Sequence, residues 1–283
     1  MKQNLNTAKL FVPDNTPIQD AIKRTTHMAI VAHQDDIEIM AYDGILKCYN
    51  KDDQWFFGVV VTNGSGSARE GIYKQFTDQD MIEIRRKEQK EASIIGQFGA
   101  LALLDYPSKQ TKDGNDQEII SELEKLILVA HPDILYTHNL ADKHDTHIGV
   151  AIKVIKALRN IPKEIRPKAV YGCEVWRNLD WMLDDEKVIM DVSGNAKLAL
   201  DLVKVFDSQI AGGKRYDLAT IGRRLANATY ATSHAVDQSD ALIYAMDLTP
   251  LIEDDDLDIS EFVSSFIQRL DADVVNRIKK VTS

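Results

Sequence analysis

Seven short, near-continuous apolar runs limit what this chain can fold into more than any other feature. They are HMAIVAH (27–33), WFFGVVVTN (55–63), LALLDY (101–106), DILYTHN (133–139), AVYGCEVW (169–176), KVIMDV (187–192) and ALIYAMDL (241–248). Amphipathic helices are predicted between them at about 36–50, 80–98, 117–130, 146–159 and 194–206, with more at about 217–228 and 259–280. Such alternation specifies an α/β chain with a mostly parallel sheet covered on both faces, a Rossmann-like three-layer α/β/α arrangement. The reading is one domain over 1–283, with a core at about 22–250, an N-terminal arm (1–21) and a C-terminal helical tail (251–283). The acidic EDDDLD (253–258) is read as a solvated linker into that tail. In open sheets of this kind ligands gather beyond the carboxyl ends of the strands. Polar residues just after a strand therefore carry the functional search.

Bulk properties narrow the partners. A net charge of −10 argues against a nucleic-acid backbone or an anionic membrane, since either would want a basic face. No apolar run reaches the roughly 18 residues of a membrane span. The stretch MKQNLNTAKLFVPDNTPIQD has no apolar core of a signal peptide, so a cytoplasmic address is expected. Cys48 and Cys173 form no CxxC pair and are read as buried thiols.

Two strand ends stand out. The first, AHQDD, gives His33, Asp35 and Asp36 at the start of a helix; the second, THNLADKHDTH, gives His138, Asn139, Asp142, His144, Asp145 and His147. Asp145 suits an N-cap, which sets His147 in the first helical turn. Four of the seven histidines fall in these two places. A lone histidine after a strand is ordinarily a satisfied polar residue, and an acidic pair at a helix start ordinarily caps it; the joint occurrence points to a metal. Catalytic zinc takes three nitrogen or oxygen ligands and leaves a position for water, and His33, Asp36 and His147 supply that set. Asp35 is then free to take a proton from water as general base, and His144 is placed to stabilise an oxyanion. A receiver domain, where acidic pairs bind magnesium, fails on length and has no use for the second cluster.

These residues resemble a known family. AHQDD and HDTH are similar to the AHPDD and HxDH motifs of the LmbE-like, or PIG-L, deacetylases, and TNGSGSAR and IRRKEQKEASIIG (84–96) extend the likeness over about residues 26–160. The resemblance implies an LmbE-like fold and a zinc-dependent enzyme that removes acetyl from an N-acetylglucosamine-type conjugate. It implies metal ligands at His33, Asp36 and His147, a base at Asp35 and an oxyanion-stabilising or acid histidine at His144. Arg85 matches the arginine of RxxE, where either a sugar contact or a pair with Glu88 across one helical turn is open. Three positions depart from the pattern: Gln34 replaces proline, Ile37 replaces glutamate, and Thr146 stands where the family has aspartate. Asp142 is an alternative partner for His144.

Further substrate contacts are expected at Arg69, Asn139, Trp176, Arg177 and His234. GSGSAR (64–69) lacks the third glycine of a dinucleotide fingerprint and is read as a Gly-rich rim. Iron(II) suits the same ligand set as zinc. A metal-retaining or sugar-binding protein without catalysis, and a nucleotide-binding module, are the competing readings. A homo-oligomer docking through the arm or the tail is also open.

Overall fold

The computed structural model describes residues 9–283. Eight strands form one sheet: β1 (Lys9–Phe11), β2 (His27–Val31), β3 (Phe56–Thr62), β4 (Ala100–Tyr106), β5 (Ile134–His138), β6 (Ala169–Cys173), β7 (Lys187–Asp191) and β8 (Leu242–Asp247). Their order is β1-β4-β3-β2-β5-β6-β8-β7. The central run from β4 to β6 is parallel, while β1 pairs antiparallel with β4, and β8 pairs antiparallel with both β6 and β7. The sheet is thus mostly parallel, as the buried runs required.

Around it lie α1 (Ile18–Lys23), α2 (Asp36–Met40), α3 (Tyr42–Cys48), α4 (Asp78–Ile95), α5 (Ser108–Lys112) and α6 (Gln117–Ala130). They are followed by α7 (Asp145–Asn160), α8 (Ala196–Lys204), α9 (Asp207–Ile210), α10 (Tyr216–Tyr230), α11 (Pro250–Glu253) and α12 (Ile259–Thr282). Alternate strand residues feed two cores: Met28 and Ile30 of β2 join α1, α6 and α7 on one face, while Ala29 and Val31 join α2, α3, α4 and α8 on the other. Both cysteines are buried, and burial pushes the Cys48 thiol up to about 12.

Several expectations shift. The helix expected over 36–50 is two, because Ala41 leaves helical geometry (φ −107°, ψ 22°) between them. The N-terminal arm contributes β1 to the sheet edge, and its residues 1–8 lie outside the described residues. EDDDLD is more than a linker: Asp255 pairs with Arg166 at 2.6 Å, and Asp258 caps α12 by accepting from the amides of Ser260 and Glu261. Among the described residues no helix is long and apolar enough to cross a membrane.

The topology decides where chemistry can sit. β2 has β3 on one side and β5 on the other, so chain connections leave it in opposite directions and a crevice opens at the ends of β2 and β5. Those two ends carry the two histidine–aspartate stretches.

A candidate metal centre and its cleft

Three side-chain atoms meet in that crevice. His33 Nδ1 lies 3.2 Å from Asp36 Oδ2 and 3.2 Å from His147 Nε2, and the last two are 3.3 Å apart. Zinc bonded to nitrogen or oxygen at 2.0–2.1 Å in tetrahedral geometry spaces its ligands about 3.3–3.4 Å apart. The triangle therefore fits three corners of a tetrahedron of donors around one small cation, with the fourth corner left for water. Two other trios have ligand atoms within 4.8 Å of one another, His33–His144–His147 and Asp36–His138–His147. His138 is the weaker ligand, because its Nε2 lone pair already accepts the Ala32 amide at 2.8 Å. It stacks on His147 instead, with ring centroids 3.9 Å apart, and so buttresses that ring rather than donating to a ligand.

Local backbone chemistry aims these groups. Asp35 is the N-cap of α2 but makes no capping side-chain hydrogen bond, and it takes a left-handed conformation, φ 84° and ψ −30°. A non-glycine residue there costs about 1–3 kcal/mol. The kink sends consecutive carboxylates different ways: Asp36 Oδ2 to the imidazoles and the His33 amide (2.7 Å), Asp35 Oδ2 to Arg85 Nη2 at 3.2 Å. The Asp35 amide donates to Gln89 Oε1 at 3.1 Å. Gln34, which replaces the family's proline, is buried and donates to the Thr62 carbonyl at 3.1 Å, tying this turn to the end of β3. Gly64, across the turn, sits at φ 76°, where a side chain would be strained, and a Cβ there would also fall 2.5 Å from Gln34 Oε1.

The second strand end works through capping. His144, not Asp145, is the N-cap of α7: its Nδ1 accepts the Thr146 amide at 3.3 Å, which leaves Nε2 to carry the proton of the neutral ring. Asp142 does not contact the His144 ring. Its Oδ1 accepts the Lys143 and His144 amides, and its Oδ2 lies 3.4 Å from His147 Nδ1 and accepts the Trp176 amide at 3.1 Å. This is a carboxylate–histidine arrangement that fixes the ring and raises its basicity. Thr146 contributes no side-chain hydrogen bond.

Electrostatics follow from burial and these contacts. Burial would lower His147, but Asp36 and Asp142 outweigh it and lift the imidazole to about 9. Two buried carboxylates around one ring call for a positive charge there, which a proton or a metal ion supplies. Burial would raise Asp36, yet the His147 and His138 rings hold it well below the carboxylate range. Burial, with His147 and His33, lowers His144 to about 4, so it is neutral near pH 7. Asp35 is lifted to about 7, by burial foremost and by Asp36, against the pull of Arg85.

His33, Asp35, Asp36, Arg85, His144 and Trp176 line a cleft of ≈ 490 Å³, with His147 buried behind its wall. Arg85 is buried and bonds to the Gln34 carbonyl as well as Asp35; its Nη1 also pairs with Glu88 Oε2 at 3.7 Å across one helical turn, and Glu88 accepts from Ser208 N and Oγ at 2.7 and 2.6 Å. Four expected substrate contacts do not line the cleft. Arg69 is taken by the Ser65 carbonyl and Asp78; Asn139 Nδ2 donates to the Cys173 carbonyl at 3.0 Å; Arg177 donates to the Ala141 carbonyl at 2.6 Å; His234 lies exposed beyond α10. Gln209, Lys214 and Tyr216 line it without having been expected. Their only signal is the glycine pair and basic residues of AGGKRY, which interrupt two helices as a rim loop would.

Comparison with known proteins agrees with this picture. Residues 28–158 match the family described as PIG-L: GlcNAc-PI de-N-acetylase, a span that includes both strand ends. No curated protein matches the chain. Among solved structures, 4-carboxy-2-hydroxymuconate hydratase (GalB) from Pseudomonas putida is similar at TM-score 0.60 and 15% identity, over 79% of this chain and 95% of that one. N,N'-diacetylchitobiose deacetylase from Pyrococcus horikoshii gives 0.59 at 15%, over 78% and 83%. The zinc-inhibited form of teicoplanin deacetylase Orf2 gives 0.54 at 13%, over 78% and 97%. At such identity the likeness speaks for the fold, which hosts more than one chemistry.

Proposed function

We propose that this chain, whose residues 28–158 belong to the PIG-L (LmbE-like) family, is a metal-dependent N-deacetylase acting on an N-acetylglucosamine-type conjugate. The observation that carries the reading is the 3.2–3.3 Å triangle of His33, Asp36 and His147, whose edges suit a tetrahedral ion. Those three would hold zinc, with iron(II) as the alternative occupant. When bound, such an ion acidifies water and polarises a carbonyl oxygen.

This chain's own residues supply the remaining steps. Asp35 stands beside the trio, lines the cleft and is kept out of the ligand set by its left-handed backbone. It takes the proton of the attacking water and passes a proton to the departing amine. His144 Nε2–H faces the developing oxyanion as a donor. Arg85 holds the Asp35 carboxylate in place, and Asp142 keeps the His147 ring turned toward Asp36. Trp176, half-buried at the rim, offers a flat face for a sugar ring. Acetate and a free amino sugar are the products.

A second reading draws on the Pseudomonas putida hydratase: the same water activation, directed at a carbon–carbon double bond of an unsaturated acid. One assay separates the two. Purified protein reconstituted with zinc or iron(II) is given N-acetylglucosamine conjugates, with acetate and new primary amine quantified, and in parallel unsaturated dicarboxylates, with loss of ultraviolet absorbance followed. Acetate release that disappears on chelation and returns with metal supports the deacetylase. Metal retention with neither reaction identifies a binding protein, and hydration alone establishes the second reading.

A further inference from the structure

A second cavity of ≈ 130 Å³ adjoins the cleft, walled by Ile39, Val175, Trp176, Tyr216, Ala219 and Ile243. Asp36, Trp176 and Tyr216 belong to both spaces, so the small one branches off beside the carboxylate of the proposed ligand trio. Thr220 adds one hydroxyl to its wall, and Glu174, Arg223 and Arg224 are hydrogen-bonded within the protein. Glu174 accepts from the Tyr244 and Leu179 amides at 3.2 Å and from the Asn227 side chain. Arg223 donates to the Val175 carbonyl. Arg224 donates to the carbonyls of Glu38 and Ile39 that close α2, at 2.7 and 3.1 Å, and lies over the Tyr42 ring. Its Nε and Nη1 have no partner, but both atoms are sealed inside the protein and present nothing to the cavity. What the space offers a guest is mainly carbon.

We propose that this cavity receives the acyl chain of the scissile amide, so that the enzyme accepts, besides acetyl, N-acyl groups of up to about six carbons and cleaves the longer ones more efficiently. An apolar cavity of about 150 Å³ accommodates a six-carbon guest such as benzene. A methyl group alone leaves most of this one unfilled and forfeits its dispersion contacts. The inference rests on the amide-hydrolase reading above. In the step it describes, the amide C–N bond breaks, the water oxygen joins the acyl carbon, and the amine leaves with the proton water gave up.

Zinc-loaded protein is titrated calorimetrically with acetate, butanoate and hexanoate, and kcat/KM is measured for N-acetyl-, N-butanoyl- and N-hexanoylglucosamine. Each methylene buried contributes about 0.8 kcal/mol, roughly fourfold, so hexanoate is expected to bind on the order of a hundredfold more tightly than acetate, with kcat/KM following. Ala219→Trp, exposed on α10 at the mouth of the cavity, reduces that ratio to under about tenfold. Equal binding of acetate and hexanoate, or stronger binding of adipate than of hexanoate, overturns the assignment. The two levels fail separately: chain-length preference in binding with no amide cleaved upholds the pocket and sinks the hydrolase, while cleavage of N-acetylglucosamine without chain-length preference does the reverse.

Discussion

The turn after β2 and the turn after β5 deliver groups to the same point by opposite means. The first distorts its backbone: Asp35 sits at φ 84° with no capping bond, and two adjacent carboxylates are driven apart. The second leaves its backbone relaxed and employs side chains, with Asp142 gathering three amides and the His147 ring while His144 caps α7. A strained turn separates neighbours in sequence that need different roles; a capped turn gathers residues of similar role. The contrast teaches that Asp35 and Asp36 are alike in chemistry and differ through conformation alone.

That contrast can be broken, most severely at Asp36. Asp36→Ala is expected to lose the metal and with it all turnover above background, checked by metal analysis of folded protein beside the acetate assay. Asp35→Asn, its neighbour, should keep the metal while kcat falls roughly 10²–10⁴-fold. Equal metal loss in both variants would remove the distinction between them. On the second turn, Asp142→Asn should weaken metal affinity about 10–100-fold without abolishing binding, read by competition with a chelator. The smallest effect isolates the strain. Asp35→Gly and Asp35→Ala both delete the carboxylate beside Arg85, but only glycine is at ease at φ 84°, so the glycine variant should be the more stable by about 1 kcal/mol in chemical denaturation. Equal stabilities would show that the turn stores no strain.

The parts of this arrangement legible in the sequence are those that contradict their surroundings. His33, Asp35, Asp36 and His147 interrupt apolar runs, and the rule that ligands gather at strand ends makes them conspicuous. The long helices were also legible: the 117–130 period matches α6 residue for residue, because its buried positions recur every three to four residues. Pieces of three to six residues, such as β1 and α5, are too short to show a period. Conformation was hidden as well. Nothing in QDD signals a positive φ without glycine, and nothing in HDTH shows that the histidine rather than the aspartate caps. Residue type alone points to Arg69, Asn139, Arg177 and His234, and it does not reveal that backbone carbonyls engage the first three. Tyr216 and Lys214 reach the cleft only because the segment between α9 and α10 folds over it, a long-range consequence no local pattern encodes.

Zinc bound per folded chain in His33→Ala, set beside His138→Ala, tests the central geometry most directly. The Nε2 of His138 is committed to the Ala32 amide, whereas His33 Nδ1 closes the triangle. Trace zinc is expected in the first variant and full loading in the second. Full loading of His33→Ala together with loss from His138→Ala would contradict that geometry and place the ion on the other side of Asp36.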